Sequence, residues 1–475
     1  MKPNILLIYT DQQRFDTIHA LGNRLIITPN LDRLAREGVA FTHATTPSPV
    51  CLANRWSLHS GQWTTTHGCY SNHHRATRPP TDILTMLREA GYSTGLSGKN
   101  HSFLTSADFD SWDESPTLES HPEWGEYLCW ARYRRGKYPR LAEEPVPTSV
   151  TAEHAKTESA LRFINRCADR DQPFFLWLSY LYPHTPYEVP EPYFSLYDTL
   201  PPPRIESSGL AGASKPFRQQ FHQRNNDAIM PFNAAQLDLM RRIYYGMVTM
   251  IDGEIGRILD LLDRRELNEN TLLVFTSDHG DYQGDHGLIA KSPALYDALT
   301  RVPFIVRWLN QIDSGRHDDR FVSHIDLMPT FAAAASLPCP EQAQGVNLLP
   351  YLRDGGGSGP IRPYAICEYG APGEPYDQAR LLSEGLQDML YTNPADDRLP
   401  WEGNPVSLAG RIRMIRSHDW KLVDEAGRAG ELYDLRNDPH ELTNLWDNRQ
   451  HANVRDELHL ALRGWLASIG SEENT

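Results

Sequence analysis

The chain has 475 residues, which exceeds the usual size of a domain with a single hydrophobic core. The length therefore predicts one large domain and a smaller one. Its net charge of −15 opposes nonspecific binding to nucleic acid or an acidic membrane, although it leaves room for a local cationic pocket. The six cysteines have no CxxC spacing, so neither a zinc ribbon nor a disulfide framework is indicated. Because no apolar run reaches the length of a signal peptide or membrane span, we expect a cytoplasmic protein and no membrane partner.

Strands and helices alternate along the first three quarters of the chain. Helical patterns fall at 28–38, where Thr28 is the expected N-cap, at 81–91, from about 150, and at 237–267. Short apolar runs predict buried strands at 4–9, 93–97, 174–180, 271–278 and 302–307. The alternation predicts an α/β fold with a large, mostly parallel sheet sandwiched by helices.

The texture changes after about residue 364. Short alternating runs there predict a small antiparallel sheet, and the pattern at 454–469 predicts a helix that closes it. We therefore expect a large α/β domain over 1–363 and a smaller α+β subdomain over 364–475. Segments 201–231 and 371–406 are expected to be irregular insertions that form a rim for a substrate.

The stretch PSPVCLANRWSLHSG, residues 47–61, places a cysteine where a helix is predicted to begin. Two prolines favour extended backbone before Cys51, and Gly61 suits the end of the helix. Free N–H groups at such a junction favour negative charge, and Arg55 would lie one turn further on. This stretch alone is equally compatible with a buried structural cysteine beside a surface arginine.

Candidate metal ligands follow two of the predicted strands. Asp11 and Gln12 come directly after the first strand, and Asp278 and His279 come directly after a later one. In open α/β sheets the carboxyl ends of the strands form the site. Oxygen ligands suit Ca²⁺ or Mg²⁺, while the imidazole leaves Mn²⁺ or Zn²⁺ open. The alternative is that the two aspartates only cap the turns that follow the strands.

Cationic side chains follow other predicted strand ends. Lys99 and His101 stand in SGKNH, His184 stands in YPHTPY, and Lys291 follows the metal candidates. A lone lysine or histidine is usually structural or solvated. Together with a cation, an arginine and a cysteine, these groups indicate a pocket for a tetrahedral oxyanion ester.

Motifs over nearly the whole chain resemble the type I, formylglycine-dependent sulfatases of the alkaline phosphatase superfamily. They include PNILLIYTDQQR, SPVCLANRWSLHSG, LREAGYSTGLSGKNH, YPHTPY, TSDHGDYQGDHGLIAKS and the C-terminal ELYDLRNDPHELTNL. The resemblance implies an alkaline phosphatase-like fold and sulfuric ester hydrolase activity. Ala53 stands where the common motif Cys-x-Pro-x-Arg has proline, and Gln12 stands where many members carry a second aspartate.

The resemblance also implies roles for the candidate residues. Cys51 would be oxidised to Cα-formylglycine by a maturase, and its hydrate would attack sulfur while Arg55 holds the attacking hydroxyl. One divalent cation, Ca²⁺ first, would be bound by Asp11, Gln12, residue 51, Asp278 and His279. Lys99 and Lys291 would stabilise the sulfuryl oxygens, His184 would protonate the leaving alcohol, and His101 would take a proton when sulfate is expelled. Asn72 is a weaker candidate for a substrate contact.

Several functions share these motifs. Sulfate monoester hydrolysis is the first expectation, and phosphonate monoester or phosphodiester hydrolysis by the same formylglycine is the second. A non-catalytic relative is a more distant alternative, because no expected polar position is missing. Sugar sulfates, choline sulfate and small alkyl or aryl sulfates all fit as substrates, and a homo-oligomer is compatible with the resemblance.

Overall fold

A computed structural model describes residues 2–72, 76–114, 141–146, 152–205, 216, 218–219, 232–291, 293–357, 359–372, 410–425, 428 and 430–471. The strands in these residues form an eight-stranded and a four-stranded sheet. In chain order they are β1 (Asn4–Asp11), β2 (Val39–Thr45), β3 (Ser93–Gly98), β4 (Ser111–Asp113), β5 (Phe174–Pro183), β6 (Thr271–Ser277), β7 (Phe304–Arg307), β8 (Arg316–Ser323), β9 (Ala365–Tyr369), β10 (Ile412–Arg416), β11 (Trp420–Glu425) and β12 (Glu431–Asp434). The helices are α1 (Pro29–Glu37), α2 (Cys51–Ser60), α3 (Thr64–His67), α4 (Ile83–Glu89), α5 (Ala152–Ala168), α6 (Ala234–Arg264), α7 (Asp297–Thr300), α8 (Leu327–Ala334) and α9 (Ala452–Ser468).

The large sheet has the strand order β4-β3-β5-β1-β6-β7-β2-β8. Every neighbouring pair is parallel except the two pairs made by β7, which runs antiparallel to both β6 and β2. The predicted mixed, mostly parallel sheet is therefore confirmed. Because β1 lies between β5 and β6, the carboxyl ends of these three strands meet at one edge of the sheet.

Both faces of the large sheet are covered. Leu6 and Ile8 of β1 pack into a core shared with α5 and α6, while Ile5, Leu7 and Tyr9 pack into a second core with α4 and α8. All eight residues of β1 are buried, as a continuous apolar run predicts for a central strand. The two cores fix β1 rigidly, so the residues at its end are held in place.

The small sheet has the order β12-β11-β10-β9 and is antiparallel throughout, with α9 packed on it. This confirms the expected C-terminal antiparallel sheet and closing helix. Val50, Ala53 and Leu295 share an apolar cluster with Cys367 and Met414 of this sheet, so it contacts the start of α2 directly. The boundary between residues 363 and 364 stays a prediction.

The start of α1 is capped differently from the prediction. Thr28 stands at the N-cap position, but its side chain does not cap the helix; Asp252 of α6 accepts hydrogen bonds from the backbone of Asn30 and Leu31 instead.

Most of the two expected insertions cannot be compared with the structure. Residues 206–215, 217, 220–231 and 373–406 lie outside the described residues. No helix in the described part of the chain is both long enough and apolar enough to cross a bilayer.

Candidate active site

The ends of β1 and β6 bring the predicted metal ligands together. The two strands pair in parallel, with Thr10 opposite Ser277, so Asp11 and Asp278 emerge side by side. The chain then turns through Gln12, whose φ of 70° lies in the left-handed region. The backbone N–H of Gln12 donates to Asp278 Oδ1 over 2.9 Å, which ties the turn after β1 to the turn after β6.

A compact cluster forms at this edge from Asp11, Cys51, Asp278 and His279. All four side chains are buried, and their potential ligand atoms lie within 4.8 Å of one another. Cys51 Sγ is 3.3 Å from His279 Nε2 and 3.8 Å from Asp11 Oδ1. His279 Nδ1 is 2.9 Å from the carbonyl of Gly280, which turns Nε2 toward the cluster. The structure therefore unites four of the five groups predicted to hold a cation.

The side chain of Gln12 is engaged by a residue that the sequence did not single out. Gln12 Nε2 donates to Asp281 Oδ2 over 2.5 Å, and Asp281 also accepts from the Tyr187 hydroxyl over 2.7 Å. Asp281 is fully buried and stands three residues after Asp278, within the same motif. It fixes the orientation of the Gln12 amide, and the role of the amide oxygen as a ligand stays a prediction.

Helix α2 begins at Cys51, as predicted, and ends before Gly61 in the left-handed conformation with φ of 68°. Arg55, one turn into the helix, is fully buried and reaches beneath Cys51. Its Nη2 lies 3.0 Å from Asp11 Oδ2 and 3.3 Å from Asp278 Oδ2. One guanidinium thus holds both carboxylates, which lowers the cost of burying two like charges side by side.

Residues missed by the sequence analysis support this arginine. Arg55 Nη1 donates to Ser179 Oγ over 2.8 Å, and the guanidinium lies 5.1 Å from the Tyr9 ring centre and 5.5 Å from that of Trp177. All three supporting residues stand in β1 or β5. A polar serine within the apolar run of a buried strand was the one available signal for them.

Three partly exposed cationic or ionisable groups border the buried cluster. Lys291 Nζ lies 2.7 Å from Cys51 Sγ and 3.2 Å from His279 Nε2, and Lys99 Nζ pairs with the Asp11 carboxylate. His184 Nε2 is 4.0 Å from Asp11 Oδ1, while its Nδ1 is 2.6 Å from the carbonyl of Thr185. Lys99 and Lys291 therefore place two ammonium groups at the border of the cluster.

The charges of the site shift its pKa values in both directions. Burial and Asp11 raise the pKa of the Cys51 thiol, but the positive charges of Lys291 and Lys99 outweigh them, so its pKa lies well below the ordinary value. Burial, reinforced by Asp11, raises the pKa of Asp278 to about 6. A cation bound beside Asp278 would lower the pKa of this carboxyl again and favour its ionised form.

The other two predicted site residues are His101 and Asn72. Within the described residues, no hydrogen bond or ion pair joins His101 to the cluster; its backbone is left-handed, with φ of 41°. Asn72 Oδ1 accepts from the amide of Leu52 over 3.2 Å, so this side chain supports the start of α2. The roles of both toward a substrate stay predictions.

The family model for the sulfatase domain matches residues 3–337. The mixed, mostly parallel sheet with this cluster at its carboxyl edge thus belongs to a family of ester hydrolases. The chain is a member of the sulfatase family.

Two relatives are similar to the chain over nearly all of its length, and a solved structure shares its fold. The chain is 30% identical to an uncharacterized sulfatase, YidJ, of Escherichia coli, over 98% of this chain and 88% of that one. It is 28% identical to the multifunctional alkaline phosphatase superfamily protein PehA of Trinickia caryophylli, over 98% and 96% of the two chains. A phosphonate monoester hydrolase from Silicibacter pomeroyi shares the fold, with a TM-score of 0.80, 23% identity and coverage of 98% and 96%.

Proposed function

We propose that the protein hydrolyses a sulfate monoester to an alcohol and inorganic sulfate, with formylglycine at position 51 and one divalent cation. The observation that carries this proposal is the position of Cys51. On one side of Cys51 lie the two carboxylates that Arg55 holds, and on the other side lies the ammonium group of Lys291. A cysteine with an ordinary structural role has no need of such surroundings.

The donor set of the buried cluster fits a hard divalent cation. Asp11, Asp278, His279 and residue 51 would hold it, with the Gln12 amide oxygen as a fifth ligand, and Ca²⁺ suits this set best. The cation would supply Lewis acidity, which stabilises negative charge on the oxygens of the ester. Arg55 orients both carboxylates, and, despite burial, the positive charge of Lys99, together with that of Arg55, holds the pKa of Asp11 well below its ordinary value.

The proposed modification of residue 51 is consistent with a hard cation. A thiolate is a soft ligand and matches Ca²⁺ poorly, whereas an oxygen at the same position matches it well. Formylglycine, once hydrated, would supply the nucleophilic oxygen. The maturase that makes it is therefore a required partner, and it would act on Cys51 before the chain folds around it, since this side chain is 1% exposed in the folded state.

The remaining residues divide the work of binding and proton transfer. Lys99 and Lys291 lie on two sides of the cluster, so their ammonium groups can pair with separate oxygens of a sulfuryl group. His184 presents Nε2 toward the site because its Nδ1 is held by a backbone carbonyl. Burial, with Lys99 and Lys291, lowers the pKa of His184 to about 3, so its neutral ring carries the proton on Nδ1 and Nε2 is bare. The negative charge of a bound ester would favour the imidazolium, and Nε2 would then donate a proton to the leaving alcohol; His101 remains the proposed base for the release of sulfate.

A second candidate function is hydrolysis of phosphonate monoesters or phosphodiesters. It is supported by the similarity to PehA, named as multifunctional, and by the fold shared with the phosphonate monoester hydrolase. Sulfate monoesters and phosphonate monoesters are both tetrahedral and carry one negative charge at neutral pH. Lys99 and Lys291 would accept either, so the geometry supports both reactions.

The two functions are distinguished by one preparation assayed on two substrates with the same leaving group. We expect a higher kcat/KM for 4-nitrophenyl sulfate than for 4-nitrophenyl phenylphosphonate. A higher kcat/KM for the phosphonate would make the second function the principal one. A Lys291→Ala variant, assayed in parallel, should lose both activities, because both substrates use the same site.

A further inference from the structure

A cavity of about 440 Å³ lies beside α6 and the loop between β1 and α1. Its lining shares no residue with the buried cluster or with the three residues that border it, Lys99, His184 and Lys291. Five arginines stand in its walls, and we call it the arginine cavity after them: Arg14, Arg24, Arg204, Arg241 and Arg301. The volume is within the range of pockets that hold small organic molecules.

The positive charge of the arginine cavity exceeds its negative charge. Against five guanidinium groups the lining offers two carboxylates, Asp16 and Asp285. Arg14 takes both of them: it pairs with Asp16 over 2.8 Å and with Asp285 over 2.9 Å. Arg204 reaches the same two carboxylates only at 3.5 Å. The other three arginines therefore face the cavity without a lining carboxylate of their own.

Arg241 and Arg301 each donate a hydrogen bond to a backbone carbonyl, of Pro201 and Thr42 respectively, but neither has a close carboxylate of its own. The buried Nε of Arg241 has no hydrogen-bond partner among the described residues. Arg301 Nη1 is 3.8 Å from Asp297, a carboxylate already engaged by Arg416 and Lys421. Burial lowers the pKa of both guanidiniums, that of Arg301 to about 10, which is the signature of a positive charge short of counter-charge.

Aromatic side chains supply the other part of the lining. Phe15, Phe41 and Tyr245 line the cavity, and the Arg301 guanidinium stacks 4.1 Å from the Phe15 ring centre. A ligand that is wholly polar would leave these rings uncovered, whereas one with an apolar body would contact them. Guanidinium groups, for their part, pair with planar or tetrahedral oxyanions through two parallel hydrogen bonds.

We propose that the arginine cavity is a binding site for a small organic anion, separate from the sulfatase centre. The oxyanion head pairs with Arg241 and Arg301, and the apolar body lies against Phe15 and Tyr245. The head is a carboxylate or a sulfonate, and the test below separates these two chemistries.

The experiment measures binding of benzoate, benzenesulfonate and inorganic sulfate by titration calorimetry to the metal-loaded Lys99→Ala/Lys291→Ala variant, in which the sulfatase centre has lost its anion-binding lysines. We expect one saturable site for benzoate or benzenesulfonate and much weaker binding of sulfate. Adding Arg241→Gln or Arg301→Gln should weaken binding about tenfold or more, because each removes a charge-assisted hydrogen bond. Arg242→Gln, at the next position of α6 and paired with Asp238, is the matched control and should leave binding unchanged.

A second measurement uses the unaltered protein, in case a variant fails to fold. The arginine reagent phenylglyoxal should modify Arg241, and the better organic probe should protect it, as read by peptide mass spectrometry. Equal weakening by Arg241→Gln and Arg242→Gln, loss of the site in the double lysine variant alone, or absence of protection would each overturn the proposal.

Discussion

At the scale of single residues, Arg55 organises the site. Its guanidinium is fully buried and pairs with Asp11 and Asp278, so neither carboxylate is left without a counter-charge. The sequence predicted that Arg55 would lie near Cys51, because the two stand four positions apart on a helix. It could not predict which carboxylates the arginine holds, since that depends on how β1, β6 and α2 meet.

Replacing Asp278 tests the metal assignment. In Asp278→Ala we expect metal content near background and no measurable turnover, because a ligand is lost and Arg55 loses one of its two carboxylate partners. Elemental analysis and an arylsulfate assay on the same sample measure both. Asp110→Ala is the control: this carboxylate bonds to Thr94, away from the cluster, and the variant should keep its metal and activity. Full metal content and turnover in Asp278→Ala would refute the assignment.

Replacing His184 tests the proton donor. His184→Ala should slow hydrolysis of alkyl sulfates by about 10²–10⁴-fold and that of 4-nitrophenyl sulfate far less, since a good leaving group hardly needs an acid. Lys99→Ala, the comparison variant, should slow both substrates alike, because its target is the sulfuryl group common to both. Equal losses in His184→Ala would make His184 a sulfate-binding group.

At the scale of elements, long apolar runs and helix punctuation predicted most of the fold. The strands at the centre of the sheet, β1, β5 and β6, and the ends of α1 and α2 were found in this way. Strands β2, β4 and β8 were not predicted. Strand β8 (Arg316–Ser323) lies at the edge of the sheet and carries charged residues that a central strand would exclude, so its sequence lacks an apolar run.

The start of α2 gives a prediction for Asn72. Its Oδ1 accepts from the amide of Leu52, one of the backbone donors that the first turn of a helix leaves unpaired. Asn72→Ala should therefore lower the free energy of unfolding by about 0.5–2 kcal/mol, the usual range for loss of such a cap. Asn72→Asp, which keeps an acceptor oxygen, should lose less, and urea unfolding measures both. A raised KM with unchanged stability would instead make Asn72 a substrate contact.

At the scale of the whole molecule, the small sheet holds the loop that carries Lys291. Leu295 packs against Met414 and Val423, and Asp297 is bound by Arg416 and Lys421. The sequence predicted the small sheet but not its contact with this loop, because nothing in one chain shows which loop a second sheet will contact. The predicted cytoplasmic location stays a prediction.

Buried histidines should make the folded state sensitive to acid. Burial lowers the pKa of His59 to about 3, and neither ring nitrogen has a partner among the described residues. An unfolded chain binds a proton at this residue below about pH 6.5 and the native state does not, so stability falls as pH falls through this value. Well below pH 6.5, one such histidine lowers the free energy of unfolding by about 1.4 kcal/mol for each unit by which the pH falls.

His59→Leu removes this contribution. Urea unfolding between pH 8 and pH 5 should show that the free energy of unfolding falls less steeply with falling pH in His59→Leu than in wild type. The difference in slope should correspond to one bound proton. His19→Leu, at an exposed histidine, is the control and should follow wild type. Parallel curves for His59→Leu and wild type would show that His59 is protonated in the folded state as well.

The most direct test of the proposed mechanism is the chemical identity of residue 51. Peptide mass spectrometry of the segment containing Cys51, with a reagent that traps aldehydes, is applied to preparations made with and without a competent maturase. Turnover should rise in proportion to the fraction of formylglycine, and Cys51→Ser should be nearly inactive over multiple turnovers, since a sulfated serine lacks the second hydroxyl that releases sulfate. Full activity in a preparation whose residue 51 is entirely unmodified cysteine would contradict the mechanism.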